Sequence, residues 1–476
     1  MFLYIFPRLK IFLECVMIQI LSLVFYVEEN MMEIVRHAEL TVAYEEKYQT
    51  IDGFGVNINS KYWNGGALRP VVDFLVDDLG AVLFRVDGYG NANWIDPNND
   101  SDATCLCEGC FARVYQSADF QNMLGLCKHL NARGIEPYIT VSGVAPTWMC
   151  AEDGVTLLKF DWYAQMLADY AFWLRQCGVV FHLFGPLNET DLGPPEGPFV
   201  SPASFCDACR AVVRQLDLRG MQDVKLVVAE QNGAQMDYVK ALLSDPDLCD
   251  RIAVTSMHLY GDWHVDSFVR YVAQHAPHVH PWITEFGDLD QSTAREEQIA
   301  WSCLKRLFMV LEDGAQGALF WDAFDNYHDH DHAWTTFGLL KNAWDVYIPK
   351  KRYYALKHIF RFVRPGFQRI GAYSTLEHMP FLAFADETTG AFTAVGMNPL
   401  NEGIHVNLNL GWFAPQDGLK YLQFDAFRTN HFEDCACVTT PVINLKNRGG
   451  QYFTTTLLPH SIFTITNITK IDSLRP

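Results

Sequence analysis

The sequence predicts an α/β protein in which a (β/α)8 TIM barrel carries an appended antiparallel β-sandwich. Three observations predict it. After residue 50 a strand pattern alternates with a helix pattern eight times. From residue 363 the texture changes to short alternating apolar and polar runs, as in FLAFADETTGAFTAVGMNPL and GIHVNLNLGW. A third run of this kind, ELTVAYEEKYQ (39–49), stands before the barrel.

The eight strand runs are IDGFGVNI (51–58), AVLFRVDG (81–88), EPYITVSG (136–143), FHLFGPLNE (181–189), VKLVVAEQN (224–232), RIAVTSMHLY (251–260), HPWITEFG (280–287) and GALFWDAFD (317–325). Most are apolar runs closed by Gly, Asn or Asp, the signature of strands buried on both faces. Helical periodicity fills the gaps, as over Asp161–Gln176 and Ala294–Glu312, and Ser201-Pro202 starts a helix over Ala203–Leu218. Eight βα units in order suggest closure into a barrel. An open nucleotide-binding sheet is disfavoured, because GFGVN is not a G-x-G-x-x-G leading into a helix. The domains are then a barrel over 51–362 and a sandwich over 363–476, with 31–50 supplying the sandwich a strand and joining the two ends of the chain.

Residues 1–30 leave two readings open: a targeting segment or anchor, or a mis-assigned start. The stretch is apolar and carries Arg8 and Lys10, but Glu14 and Gln19 interrupt it and no small-x-small cleavage site follows. A membrane partner is expected only if this segment is a real anchor. Thirteen cysteines in a long chain lean towards a reducing compartment, so the cytoplasm is favoured slightly over secretion.

The formal charge of −20 would repel a polyanion, so nucleic acid is not an expected partner. Aromatic residues reach 14%, and while most must be core, such rings also form flat apolar platforms for sugar faces. A carbohydrate is the expected partner.

Barrel enzymes place reactive groups at the C-terminal ends of strands. The fourth run ends in Asn188-Glu189 and the seventh in Thr284-Glu285-Phe286-Gly287. Two carboxyl groups facing each other across a barrel mouth are the equipment of glycoside hydrolysis, which needs one protonated to donate and one ionised to attack. Asn188 is placed to hydrogen-bond a sugar hydroxyl. An arginine near Glu285, such as Arg85, would depress that carboxyl's pKa. No cofactor is needed for this chemistry.

These residues resemble clan A of the glycoside hydrolases, whose barrels carry an acid/base after strand four, usually in an Asn-Glu pair, and a nucleophile after strand seven. Asn188-Glu189 and WITEFG (282–287) match those two motifs. The resemblance implies that Glu189 is the acid/base and Glu285 the nucleophile of a retaining β-glycosidase. It further implies that Tyr260, with His258 in the His-Leu-Tyr run, holds the nucleophile, that Arg85 contacts it, and that Trp321 forms an aromatic floor. Gly53-Phe54-Gly55 and YYALKHIFRFVRPG (353–366) are most similar to glycoside hydrolase family 30. The chain departs from that family in having Thr190 where a proline usually follows the Asn-Glu pair, and VNIN (56–59) where a small and acidic run is usual.

Trp148, Trp263, Trp321 and Trp334 fall in or near strand-end loops, where they could stack on sugars. Asn57, Asp87 and Asn91 could bind hydroxyls there. The loop DNYHDHDH (325–332) invites a metal reading, and a metal-dependent barrel hydrolase is one rival; a non-catalytic carbohydrate-binding barrel is another. Cys105, Cys107, Cys110, Cys206 and Cys209 lie in or after loops two and four on one barrel face. They hold a structural zinc, or are ordinary thiols, or form a disulfide within one loop.

Overall fold

A computed structural model describes residues 34–88, 114–328, 332–344, 346–410, 424–438, 442–443 and 452–468. Strand β1 (Ile34–Thr50) precedes a closed parallel barrel of eight strands: β2 (Gly53–Ile58), β3 (Leu83–Asp87), β4 (Tyr138–Thr140), β5 (Leu183–Gly185), β6 (Lys225–Asn232), β7 (Ile252–Leu259), β8 (His280–Phe286) and β9 (Gly317–Phe320). Closure runs through β2 and β9, with Gly53 opposite Gly317 and Val56 opposite Phe320. All six residues of β2 are buried, as expected of a strand covered on both faces. Gly55 has no room for a side chain, since a Cβ there would lie 1.6 Å from the carbonyl oxygen of Leu83.

The helices sit where their periodicity places them. Phe160–Gln176 buries Tyr163, Leu167, Tyr170, Ala171 and Leu174, a stripe spaced by three and four. Pro202–Leu218 begins at Ser201, whose side chain accepts from the backbone N–H of Ser204. The helix expected from Ala294 begins at Glu296, after a short 3-10 turn over Thr293–Arg295.

Three strands are much shorter than expected. The run over 181–189 is extended only at Leu183–Gly185, the run over 136–143 only at Tyr138–Thr140, and the run over 317–325 only at Gly317–Phe320. In the first, Pro186 has no N–H to give the ladder. The chain beyond it turns across the barrel mouth, so that Asn188 and Glu189 stand on a bend rather than on a strand.

The remaining strands form one sheet of ten, mostly antiparallel. β1 is interior to it, antiparallel to Gln368–Ser374 and parallel to Gly403–Asn409. The sheet folds back on itself as a sandwich: Leu40 and Val42 share one buried cluster with Phe381, Phe392, Val406, Phe453 and Ile465, which come from both halves. Its other face joins the barrel core through Phe384, Val395, Met397 and Ile462. At this junction His358, on the helix Lys351–Phe360, is fully buried between the hydroxyls of Thr464 (2.7 Å) and Thr429 (2.8 Å). Among the described residues no helix is long and apolar enough to cross a membrane.

Candidate active site

The C-terminal ends of the barrel strands surround a cavity of about 490 Å³, lined by Arg85, Asn188, Glu189, Tyr260, Glu285 and Trp321 among others. Its base is a network of charged side chains that are almost wholly removed from solvent.

Glu189 is 5% exposed and adopts a left-handed backbone with φ of 38°. A side-chain-bearing residue rarely takes this conformation, and here hydrogen bonds on both sides hold it. Its N–H donates to the carbonyl of Glu230 at 2.8 Å, and its carbonyl accepts from Leu192 at 3.0 Å and Gly193 at 3.2 Å. The bend aims its carboxylate at His258, whose Nδ1 lies 2.7 Å from Oε1.

Glu285, also 5% exposed, ends β8 opposite it. Its Oε1 accepts from Arg85 Nη1 at 2.7 Å and its Oε2 from the Tyr260 hydroxyl at 2.5 Å. His258 Nδ1 lies 3.3 Å from the same Oε2. One oxygen of Glu189, one of Glu285 and a ring nitrogen of His258 all lie within 4.8 Å of one another. Among the described residues this trio is the one set of three His, Cys, Asp or Glu side chains close enough to hold an ion.

Arg85 organises the floor. Besides Glu285 it donates to Asn57 Oδ1 at 2.9 Å and to Asn188 Oδ1 at 2.6 Å. Asn57 is fixed in turn by the carbonyls of Thr284 (3.0 Å) and Phe320 (3.3 Å), so it serves Arg85 rather than the cavity. Asn188 also donates to the carbonyl of Glu196 at 3.2 Å.

The protonation pattern differs from the simplest expectation. Burial raises the Glu285 carboxyl from 4.5 to about 7, although His258 and Arg85 pull it down; the charge of Glu189 adds to the rise. Arg85 therefore acts in the expected direction and is outweighed. Burial opposes charge on His258, but Glu285 and Glu189 more than compensate and bring it up to about 10. Burial likewise pushes the Tyr260 phenol far up, so it remains a donor to Glu285.

A third carboxylate, Glu230 on β6, completes the network and has no counterpart among the expected residues. It is fully buried. Its Oε1 lies 3.2 Å from Arg85 Nε and 3.9 Å from His258 Nε2. Burial alone would raise this carboxyl; Arg85, His258 and Tyr138 overcome that and hold it down at about 2. The available signal was a charge inside the apolar run VVAEQN, near the end of a barrel strand.

Of the other expected residues, Trp321 and Asp87 line the cavity, and so does His328 from the loop after β9. Trp148 does not line it. The indole packs against Trp162 at 6.0 Å, with Lys159 over its ring at 5.1 Å. Trp263 and Trp334 are exposed and do not line it either. Cys206 and Cys209 sit on the buried side of Pro202–Leu218, in the apolar core of the barrel. Burial pushes both thiols up, away from the thiolate that zinc requires. Cys105, Cys107, Cys110 and Asn91 lie outside the described residues, as do positions 329–331 of the histidine-rich loop.

No protein-family model and no curated protein matches the sequence. Solved structures do match. A GH30 endoxylanase from Clostridium papyrosolvens C71 aligns at 18% identity and a TM-score of 0.68, covering 90% of this chain and 99% of that one. The catalytic domain of GH30 xylanase C from Talaromyces cellulolyticus aligns at 17% identity and a TM-score of 0.68, with coverages of 90% and 99%. An endo-β1,6-glucanase aligns at 15% identity and a TM-score of 0.66, with coverages of 91% and 95%. At such identities the likeness is one of fold: the barrel and its appended sandwich share the architecture of these solved structures.

Proposed function

We propose that the protein is a retaining glycoside hydrolase that cleaves a β-linked carbohydrate, with Glu285 as nucleophile and Glu189 as acid/base. The observation that carries this reading is the spacing of the pair, with an oxygen of each carboxylate within 4.8 Å of the other in a cavity at the barrel mouth. Retaining enzymes hold their two carboxyl groups about 5–5.5 Å apart, whereas inverting enzymes leave about 6.5–9.5 Å for a water between them. The fold neighbours named as xylanases and an endo-β1,6-glucanase support a carbohydrate substrate.

Each contact has a role in the two steps. Arg85 and Tyr260 fix both oxygens of Glu285, so its attack on the anomeric carbon requires little reorganisation. Glu189 protonates the departing oxygen as the glycosidic bond breaks, which leaves a covalent glycosyl-Glu285 ester. Water then attacks the same carbon, Glu189 takes its proton, and the ester bond breaks with the configuration restored. The proton that Glu189 donates is drawn from its 2.7 Å hydrogen bond with His258. Transfer along that bond leaves neutral imidazole beside a protonated carboxyl. Asn188, held by Arg85 and Glu196, is placed for the sugar 2-hydroxyl, and Trp321 offers an apolar face to the ring.

Screening the full-length protein against aryl β-glycosides and oligosaccharides, then following the first-formed anomer by proton NMR, tests the reading. The β-anomer is expected first. An α-anomer first would contradict retention, and no turnover on any glycoside would contradict hydrolysis.

A further inference from the structure

We propose that Glu230 is a positioning residue for this reaction: a third carboxylate that clamps Arg85 and His258 from beneath, and so sets the pH window of activity through those two cations. The inference rests on the glycosidase reading for what the window governs, but the clamp itself stands on geometry.

The chain goes out of its way to place this side chain. Along β6 the register with β7 slips between Val228 and Gln231, and Ala229 takes a left-handed φ of 63°. A bulge of this kind re-aims a side chain that strict alternation would send elsewhere. Here it turns Glu230 into the barrel interior, behind the catalytic pair rather than into the cavity. From there one carboxylate reaches both cations of the site. Arg85 Nε is 3.2 Å from Oε1 and His258 Nε2 is 3.9 Å from the same oxygen. Arg85 carries Glu285 and Asn188 on its other nitrogens, and His258 carries Glu189 on its other face. The backbone carbonyl of Glu230 also receives the N–H of Glu189.

The contact is electrostatic more than it is a satisfied hydrogen bond. Glu230 Oε1, Arg85 Nε and His258 Nε2 are each buried with no protein hydrogen bond of good geometry. The groups facing Glu230 come from three strands: Arg85 from β3, Tyr138 and Thr140 from β4, and His258 from β7, with Thr140 Oγ1 3.4 Å from Oε2. Around His258 stand Glu189, Glu230 and Glu285, with Asp191 farther out; Asp87 adds to the field on Arg85. Two cations thus face three carboxylates. Removing the charge of Glu230 leaves two against two. Glu285 then ionises more easily and His258 loses its proton more easily, so both limbs of the activity profile move the same way.

The test is the pH dependence of kcat/KM for Glu230→Gln in the full chain, on whichever aryl glycoside the native protein hydrolyses. Both limbs should shift to lower pH by about one unit, the scale of losing one nearby charge in a buried site. A drop in kcat with either limb in place would overturn the proposal, because a merely structural glutamate lowers activity without moving the limbs. If the Gln variant does not fold, Glu230→Asp serves instead. It keeps the charge but withdraws it from both cations, so both limbs should move in the same direction by less, and unmoved limbs overturn the proposal. A second readout does not depend on substrate. The nitrogen-15 signals of the His258 ring should show imidazolium beyond pH 8 in the native protein and deprotonation at least half a pH unit lower in the variant, on the same charge argument. An unshifted ring titration overturns the clamp even if hydrolysis is confirmed. A shifted one in a protein without glycosidase activity keeps the clamp and removes only the reading of the reaction.

Discussion

The hydroxyl of Tyr260 donates to Glu285 Oε2 at 2.5 Å, on the oxygen that Arg85 does not hold. The two donors fix the carboxylate plane. Tyr260→Phe removes one donor and with it a contact that lowers the Glu285 pKa. We predict a fall in kcat/KM of about 10- to 100-fold, somewhat less than the loss of an oxyanion donor. We also predict an acid limb displaced to higher pH. An acid limb that stays in place would show that the hydroxyl does not act on Glu285.

Glu189→Ala should discriminate between leaving groups. Substrates with poor leaving groups need the proton and should lose about 100- to 10,000-fold, the usual range for general acid catalysis. Those with good leaving groups should lose far less in the glycosylation step. Steady-state rates across a series of substituted phenyl glycosides give the slope. Equal losses along the series would remove Glu189 from the acid role.

The raised pKa of Glu285 has a consequence for stability. Unfolded, this carboxyl titrates near 4.5; folded, near 7. Between those values the folded state binds the proton more tightly, so this group's contribution to stability falls as pH rises through the window. Glu285→Gln should therefore be more stable than the native protein at pH 8, by on the order of 1 kcal/mol, and should lose that advantage below about pH 4.5. Thermal unfolding at the two pH values checks it. A variant less stable at pH 8 would mean that the contacts of the carboxylate outweigh its burial.

β1 lies between Gln368–Ser374 and Gly403–Asn409, and it contributes Leu40 and Val42 to the sandwich core. A chain starting at Ile51 would open two sheet edges and expose that core. It should be poorly soluble and unfold at lower temperature than the full chain. Equal solubility and melting temperature would show that the sandwich closes without β1.

The barrel was legible because its strands are buried on both faces, and such strands write themselves as apolar runs. Gly53–Ile58 and His280–Phe286 fall inside the runs read for them. That Glu189 and Glu285 line the cavity was legible by position, at the ends of runs four and seven. Glu230 was not, because the bulge at Ala229 and not the strand period decides which way it points. Trp148 shows the converse error. A place near a strand end says nothing of which way a ring faces, and Trp162 and Lys159 pack against this one. The rise in Glu285 was hidden for a similar reason, since burial outweighs the arginine that the sequence places beside it.

The central claim is that Glu285 attacks the anomeric carbon, and anion rescue of Glu285→Gly tests it most directly. The variant should be inactive on an aryl β-glycoside with a good leaving group, and added azide should restore turnover by occupying the vacated space. The product should be the α-glycosyl azide, formed by one inversion at the face that Glu285 normally occupies. A β-glycosyl azide, or hydrolysis undiminished without azide, would contradict the assignment.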